Sequence, residues 1–555
     1  MYNNLYMFEN NLSKLNNIRL KEELKNIPIT DCTADIAFVT TANGNIVFMK
    51  GEIPTDHTID PIGYAQGLIT PKMKEFVKND VIVTVGFGTG YILDELYSTV
   101  KSKIVIYEPD TKFLRFVFET VDLTQYLTGN RVFISNNINE CVEYILKDYL
   151  NDDQLDFAIS QILSIFYKDD IEQLTEQLYT RLRSKIVDIN TIKVLSKKWV
   201  NNVIKFVNLD KKFYTIDNFK WKFTGKSALI LGAGPSLADN LEKIKLMRDK
   251  FTIFAVNKSL EFLEKNEIVP DFAVFADATA VKKNYNLSDE YTSKLNIIAD
   301  WKAESAIAEF KSKNHIVYFS DNELFIKKYA KELDIQLLPA EQTTSLISLM
   351  SANFMGFEKI YFCGFDLAFK EKQPYADVES IDIENNKAII NKQEKQIIEV
   401  PSITGDMVQT REDYAVFIKA IETIIKTRGL KNLYNITEFG ALIEGMNYTS
   451  FDNINVYGEK ADIDYEISKF TPCQKDFRKF MDIEKSVIIN IHENIMKHSP
   501  LNLVINKITN DSTLLYEYLQ LELIELSRDM NNQEVIDNFY SKTILAIDKL
   551  LAIMN

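Results

Sequence analysis

Cysteine and histidine are scarce in this 555-residue chain, which has 4 of each. The cysteines stand far apart, without the short spacing of metal ligands, so we expect reduced thiols and no metal site. No apolar run approaches the ~20 residues that a membrane-spanning helix needs. The opening residues "MYNNLYMFEN" lack the basic and apolar parts of a signal peptide. Together these absences predict a cytoplasmic protein.

Basic residues are too few to balance the acidic ones. Lys and Arg total 64 against 79 Asp and Glu, which gives a net charge of -15. An acidic surface repels phosphate backbones and anionic lipid, so we expect no nucleic acid and no membrane as partner. The apolar fraction of 46% and the charged fraction of 26% are typical of a globular protein. The length predicts about three domains.

Residues 1–200 are predicted to form an N-terminal Rossmann-like α/β domain. The "NGN" of "DIAFVTTANGNIVFMKG" indicates a hairpin. In the following strand–turn–helix–strand pattern, Gly86, Gly88 and Gly90 form a G-x-G-x-G turn, and Glu108 follows the second strand. This arrangement suits a dinucleotide or S-adenosylmethionine ribose, and it resembles the first half of a class I methyltransferase fold. Alternatively, the glycines only let the helix pack closely on the strand.

Residues 201–440 are predicted to form a central, doubly wound Rossmann-like domain, because β-prone runs alternate with helical stretches. In open α/β sheets, ligands bind outside the carboxyl ends of the strands, so polar residues there should converge. Alternatively, Asp and Asn at strand ends begin turns or cap helices, the interpretation that we favour for Asp300 and Asp321. The strand-like runs end on Gly234, Asn257, Asp277, Asp300, Asp321 and Asp366.

The first of these runs enters the stretch "ILGAGPSL". Gly232 and Gly234 permit a sharp turn and the close approach of a ligand, and Pro235 fixes φ for a helix start. Ser236 can then bond a phosphate or ribose oxygen beside the helix N-terminus, which predicts an anion-binding turn. The turn is neither the G-x-G-x-x-G fingerprint nor a P-loop.

Two further segments of the central domain are candidates for a functional role. Thr343, Thr344 and Ser345 open an amphipathic helix and form a second candidate anion site, although an N-cap cluster is the interpretation that we favour when they are taken alone. The charged excursion between Asp366 and Asp413 contains the β-prone segments "KAIIN" and "QIIEVPS", which suggest a hairpin. Such an excursion is either a lid over an active site or a plain surface loop.

The order of "ILGAGPSL", "FAVNKSL", "VPDFAVFAD" and "TTSLISLMSANFMGFEKIYFCGFDLAF...PYAD" resembles the central domain of the motility accessory factor (Maf) glycosyltransferases. Through them it is similar to the bacterial sialyltransferases that use CMP-activated sugars. The resemblance covers about residues 200–440. It implies that Asp277, Asp366 and Tyr375 are catalytic, with Tyr375, beside Ala376, holding the donor phosphate as it leaves. The implied nucleotide-sugar-binding residues are Gly232, Ala233, Gly234, Pro235, Ser236, Asn257, Thr344, Ser345 and Gly364.

The chain departs from those sialyltransferases at one catalytic position. They use a histidine general base shortly after the tyrosine, whereas "EVPSITGDMVQTREDYAVF" contains none. A carboxylate takes over this work where its surroundings raise its pKa, and Asp277, Asp366 and Asp406 are candidates. Alternatively, the phosphate of the nucleotide accepts the proton. The histidines of the chain are His57, His315, His492 and His498.

Residues 441–555 are predicted to form a C-terminal all-α helical domain. Apolar residues recur at i, i+3, i+4 and i+7, which indicates three or more amphipathic helices. We expect their apolar stripes to bury against one another or against the main domain. Docking of a helical acceptor protein is the alternative.

The predicted function is therefore that of an inverting glycosyltransferase. It would move a nonulosonic-acid-type sugar (pseudaminic, legionaminic or a related keto acid) from its CMP conjugate to Ser or Thr of flagellin. Because the donor carries a single phosphate, no metal or other cofactor is expected. The expected partners are flagellin and the CMP-sugar, and a homo-oligomer stays open.

Two other functions stay open at this point. The glycine turn and the strand-end aspartates also resemble archaeal pterin pyrophosphokinases, which would use ATP with Mg²⁺ on Asp277 and Asp366. The second alternative is a non-catalytic flagellin-binding chaperone, which the missing histidine favours.

Overall fold

The computed structural model describes most of the chain: residues 5–28, 36–209, 212–278, 285–308, 310–321, 324–339, 343–369, 397–454, 456, 459–473 and 477–554. Contacts divide it into two compact units. The first comprises Met1–Val194 with Gln520–Phe539, and the second comprises Leu195–Leu519 with Tyr540–Asn555. The domain boundaries expected at 200 and 440 stay predictions.

Within its described residues, the first unit contains two sheets. The predicted "NGN" hairpin is confirmed in a three-stranded antiparallel sheet, and Gly44 adopts a φ of 82° in its turn. The other sheet is parallel, with the strand order β6-β5-β4-β7. All five residues of "VIVTV" are buried in it, as expected of a parallel strand covered on both faces. The strands are β1 (Ile36–Thr40), β2 (Ile46–Lys50), β3 (Ile53–Pro54), β4 (Val81–Val85), β5 (Lys103–Tyr107), β6 (Val132–Ser135) and β7 (Leu155–Phe157).

Several helices of the first unit begin at a polar side chain that accepts a backbone N–H, which satisfies one of the unpaired donors of the first turn. Asp60, Asp110 and Asn137 are examples. Among the described residues of this unit, the helices are Leu5–Lys14, Ile18–Asn26, Pro61–Leu68, Pro71–Lys74, Tyr91–Thr99, Thr111–Thr120, Thr124–Leu127, Ile138–Leu146, Gln520–Arg528, the part of Ser164–Asn208 up to Val194 and the part of Gln533–Met554 up to Phe539.

A nine-stranded parallel sheet forms the centre of the second unit, with the order β18-β17-β14-β9-β10-β11-β12-β13-β8. Its strands are β8 (Tyr214–Thr215), β9 (Ser227–Leu231), β10 (Thr252–Val256), β11 (Phe272–Phe275), β12 (Asn296–Asp300), β13 (Asn314–Tyr318), β14 (Lys359–Cys363), β17 (Leu433–Ile436) and β18 (Asn447–Thr449). A separate antiparallel pair joins β15 (Ile397–Pro401) to β16 (Met407–Arg411).

Both faces of the nine-stranded sheet are covered. Successive residues of a strand point to opposite faces, and β9 shows this directly. Ala228 and Ile230 belong to one buried cluster, and Leu229 and Leu231 belong to another. The predicted doubly wound α/β architecture is therefore confirmed.

Strand order gives this sheet a switch point between two neighbouring strands. From β9 the chain proceeds outward through β10, β11, β12 and β13, and it then returns to place β14 on the other side of β9. In open α/β sheets, ligands bind in the crevice outside the carboxyl ends of the strands at such a point. The loops that follow β9 and β14 are therefore where a site is expected.

The last part of the chain is helical, as predicted, although β18 lies beyond residue 440. The helices of the second unit are the rest of Ser164–Asn208, Ser236–Asp239, Leu241–Leu246, Leu260–Lys265, Asp289–Thr292, Trp301–Ile307, Leu324–Tyr329, Thr344–Phe354, Glu412–Arg428, Ile463–Ser468, Phe477–Met496, Leu501–Asn510 and Thr513–Tyr518; Gln533–Met554 enters this unit at Tyr540. Within the described ranges, none of the helices has the length and apolar character needed to cross a membrane.

The excursion after β14 is described only in part. The predicted strand in "QIIEVPS" is confirmed, and its partner is Met407–Arg411. The segment "KAIIN" lies outside the described residues.

Candidate functional site

The glycine turn after β9 lies directly against the loop after β14. Gly232 N donates to Cys363 O and Gly234 N donates to Gly364 O, each at 2.8 Å. A β-carbon at Gly232 would overlap the carbonyl oxygen of Gly364, and one at Gly234 would lie 2.8 Å from the same oxygen. These two glycines therefore allow two backbones to touch at the switch point. From the sequence, these glycines were expected to permit a sharp turn and the close approach of a ligand.

Ser236 links the same two loops through two hydrogen bonds. Its hydroxyl accepts a hydrogen bond from Gly364 N at 2.9 Å, and its own backbone N–H donates to Asp366 Oδ2 at 2.9 Å. The residue is only 5% exposed. Contact between this hydroxyl and a phosphate or ribose stays a prediction. The helix expected after Pro235 is the single turn Ser236–Asp239, and the anion-binding role expected of its N-terminus stays a prediction.

Asp366 joins three loops at the carboxyl edge. Its Oδ1 accepts from the Thr437 hydroxyl at 2.6 Å, its Oδ2 accepts from Ser236, and its backbone carbonyl accepts from Ala441 N at 2.9 Å. The side chain is 1% exposed, and this burial raises its pKa, while the hydrogen bonds from Thr437 and Ser236 oppose the rise. Because both carboxylate oxygens are engaged inside the protein, the geometry describes a positioning residue. The catalytic role expected for Asp366 stays a prediction.

A second polar group lies at the same edge, beyond β10. Asn257 Oδ1 accepts from Lys258 N at 3.0 Å and from the Thr344 hydroxyl at 3.4 Å, and its Nδ2 donates to the Tyr285 hydroxyl at 2.8 Å. Asn257, Thr344, Ser345 and Tyr285 are all half-buried. The structure thus brings Asn257 and Thr344 together, and their role in nucleotide binding stays a prediction. The structure also places Tyr285 beside Asn257. The sequence around it, "KKNYNLSDE", contains no periodicity or motif that would have identified this residue.

Thr343 performs the capping role that its position suggested. Its side chain accepts from Leu346 N at 3.2 Å, at the start of the helix Thr344–Phe354. The turn interpretation of Asp300 is likewise confirmed, since its carboxylate accepts from Lys302 N at 2.9 Å.

The three candidates for acid–base chemistry differ in their surroundings. Asp277 is exposed, two residues beyond the end of β11 and therefore at the carboxyl edge. Asp406 is exposed in the turn between β15 and β16. Asp366 is buried. Tyr375 and Ala376 lie outside the described residues.

The glycine turn of the first unit is packed against its own chain. Glu108 is fully buried and accepts from Phe87 N at 2.8 Å, Asp110 N at 2.9 Å and the Tyr167 hydroxyl at 2.6 Å. Burial raises the pKa of Glu108 to about 7. A β-carbon at Gly86 would lie 3.0 Å from the Tyr167 ring. The Tyr167 hydroxyl thus donates to the Glu108 carboxylate, the group that would have to bind a ribose hydroxyl. This contact favours the interpretation that the glycines only let the helix pack closely on the strand.

Replacing Gly88 by alanine should destabilise the first unit and leave transfer chemistry unchanged. Gly88 has a φ of +59°, and a β-carbon there would lie 2.9 Å from Asp56 Oδ2. Backbone strain and this contact should cost about 1–3 kcal/mol of unfolding free energy, measurable by denaturant titration. Gly67→Ala is the matched control, because Gly67 is helical with nothing within 4 Å, and there alanine should be neutral or stabilising. Equal stability of both variants would contradict this account.

The α/β fold described above is similar to that of a solved glycosyltransferase. The match is to the structure of the Maf glycosyltransferase from Magnetospirillum magneticum AMB-1, with a TM-score of 0.64 and 15% sequence identity. It covers 99% of this chain and 95% of that one. At this identity the likeness shows the fold. The resemblance to Maf proteins, predicted from residues 200–440, is confirmed and extends along the whole chain.

Two sequence comparisons add to this match. Residues 200–372 match the family model described as 6-hydroxymethylpterin diphosphokinase MptE-like. An uncharacterized protein of Treponema pallidum (strain Nichols) is 32% identical over 108 residues, which amount to 19% of this chain and 49% of that protein. The chain therefore spans about half the length of this curated relative.

Proposed function

We propose that this protein is a glycosyltransferase that moves a nonulosonic-acid-type sugar from its CMP conjugate to Ser or Thr hydroxyls of flagellin. The observation that carries the proposal is the fold match to the Maf glycosyltransferase along 99% of the chain. A match of this extent includes both compact units, whereas a nucleotide-binding sheet alone is shared by many unrelated activities.

The proposed reaction uses groups that follow strands of the nine-stranded sheet at its carboxyl edge, together with Tyr375. In this proposal the donor binds against the loops after β9 and β14 and beside Asn257 and Thr344, which the structure brings within hydrogen-bond distance of each other. The acceptor hydroxyl attacks the anomeric carbon as the bond to the CMP phosphate breaks, so configuration inverts and no covalent intermediate forms. A base takes the hydroxyl proton, and Asp277 is an exposed carboxylate at this edge that could act as that base. Tyr375 would hold the departing phosphate. With one phosphate on the donor, no bridging metal is needed.

The match to the MptE-like family model keeps a second candidate, an ATP- and Mg²⁺-dependent pterin diphosphokinase. That reaction would need accessible carboxylate oxygens for the metal. Asp366, one of the two expected ligands, is buried with both oxygens occupied by Thr437 and Ser236, which favours the transferase.

The proposed function is tested by the intact mass of flagellin. The purified protein, incubated with unmodified flagellin and a CMP-nonulosonic acid, should raise the flagellin mass by whole sugar residues. Flagellin from cells that lack the protein should be lighter by the same amount. If flagellin binds the protein and its mass stays unchanged in both tests, the chaperone alternative is correct.

Nucleotide selectivity separates transferase from kinase. We expect calorimetry to show tighter binding of CMP and CDP than of AMP, ADP, UDP and ATP, with no need for Mg²⁺. Tighter binding of ATP than of CMP, dependent on Mg²⁺, would overturn the transferase in favour of the kinase.

A further inference from the structure

The side-chain amide of Asn257 is held in one orientation. A backbone N–H can only donate, and the N–H of Lys258 points at one atom of the amide from 3.0 Å. That atom must therefore be Oδ1, which also accepts from the Thr344 hydroxyl. The other atom is Nδ2, and it donates to the Tyr285 hydroxyl at 2.8 Å.

The ring of Tyr285 is itself held by aromatic packing. Its ring packs edge-on against Phe275, with ring centres 5.6 Å apart at 88°, and against Phe310 at 6.1 Å. Both phenylalanines are buried, Phe275 completely. Because the ring is fixed by these contacts, its hydroxyl has a set position and keeps the nitrogen of Asn257 turned toward it.

The amide nitrogen has a second hydrogen. Among the described residues, the nitrogen of Asn257 meets no acceptor other than Tyr285, and the side chain is half-buried. In the sheet, Ala255 of β10 pairs with Leu231 of β9, so Asn257 lies at the same edge as the Gly232–Ser236 turn. The second hydrogen is therefore a fixed donor at the edge where the nucleotide is proposed to bind.

We propose that Tyr285 is a positioning residue that makes Asn257 select cytosine over uracil. The inference rests on the proposed function, since it concerns the base of the same CMP conjugate. N3 of cytosine is an acceptor, and N3 of uracil carries a hydrogen. A fixed amide N–H can donate to N3 of cytosine. In uracil it would face the N3–H, which is also a donor, so neither N–H group would have a hydrogen-bond partner.

Tyr285→Phe tests the inference, because it removes the hydroxyl and keeps the ring against Phe275 and Phe310. The Lys258 N–H still faces Oδ1 of Asn257, but the amide nitrogen loses the acceptor that holds it in place. We expect the ratio of CMP to UMP affinity, measured by calorimetry, to fall about five- to tenfold, mainly through weaker CMP binding. The melting temperature should change little. Asn257→Asp, which replaces the donor by an acceptor, should lower the ratio further.

Tyr291→Phe is the matched control. It also removes a tyrosine hydroxyl from the second unit, one that donates to Ile268 O at 2.9 Å before the start of β11. This variant should lose stability and keep the CMP-to-UMP ratio of the native protein. A purely structural role for Tyr285 would make its variant behave in the same way.

The outcomes distinguish this inference from the proposed function. If the native protein prefers CMP and Tyr285→Phe keeps that preference, the inference is wrong and the proposed function stands. Equal binding of CMP and UMP by the native protein also overturns the inference. If the native protein binds ATP and no cytidine nucleotide, the proposed function fails and the inference fails with it.

Discussion

Asp277→Ala should abolish sugar transfer in a chain that still folds. The side chain is exposed at the carboxyl edge of the sheet, so its removal leaves no cavity in the core. A carboxylate there can accept hydrogen bonds from the donor, or it can take the proton of the acceptor hydroxyl. Loss of a charge-assisted hydrogen bond, about 1.5–3 kcal/mol, would weaken donor binding roughly 10- to 150-fold. Loss of a general base would lower turnover by about 10²- to 10⁴-fold with donor affinity nearly unchanged.

Asp277→Asn separates these two roles. The asparagine amide keeps one acceptor oxygen and cannot take a proton. If Asp277 binds the donor, this variant should recover part of the donor affinity; if Asp277 is the general base, turnover should stay as low as in Asp277→Ala. Turnover and CMP affinity should be measured separately for both variants. Asp406→Ala is the control, since Asp406 is another exposed candidate base in the turn between β15 and β16. A folded Asp277→Ala protein that modifies flagellin at the native rate would show that the site is misplaced.

Gly232→Ala should unfold the switch point and lower the stability of the second unit strongly. The new methyl group would overlap the carbonyl oxygen of Gly364 and lie 3.4 Å from the Phe365 ring. The oxygen belongs to a backbone held by Ser236 and Gly234, so it cannot move aside without breaking those bonds. We expect a loss of about 3 kcal/mol and a melting temperature lower by roughly 6–12 °C, with nucleotide binding lost in parallel.

Gly225→Ala provides the comparison for this variant. Gly225 has a φ of +79° and nothing within 4 Å of its would-be β-carbon, so alanine there tests backbone strain without a collision. Its cost should be about 1 kcal/mol, with nucleotide binding intact. If Gly232→Ala is no worse than Gly225→Ala, the two loops are not packed as described.

Much of the fold was predictable because its signals are local. "ALIL", "TIFAV" and "FAVF" are apolar runs of the length of buried strands, and each is followed by a polar or glycine-containing turn, so their identity as parallel strands follows from short-range pattern. The "NGN" hairpin and the capping role of Thr343 were recognisable for the same reason. Their geometry depends on residues within four positions of one another.

The candidate site was predictable only in part. The sequence indicated which residues end the strands, but it did not indicate which of those ends meet. The helix start expected after Pro235 is present, but the sequence did not indicate that this helix is a single turn. Tyr285 was missed, because its contact with Asn257 joins residues 28 positions apart and leaves no spacing to recognise.

By itself, the sequence determined that this protein has an α/β sheet with glycine and polar residues at its strand ends, since hydrophobic periodicity and turn chemistry act over a few residues. Only the tertiary structure decided the roles of those residues. Gly232 and Gly364 are 132 positions apart, and their backbones touch because β14 returns to pair with β9. That pairing turns Ser236 and Asp366 inward, where they hold the loops together, and it leaves Asn257 and Asp277 at the open edge. The physical reason is that sheet order results from the packing of distant segments, which no local pattern encodes.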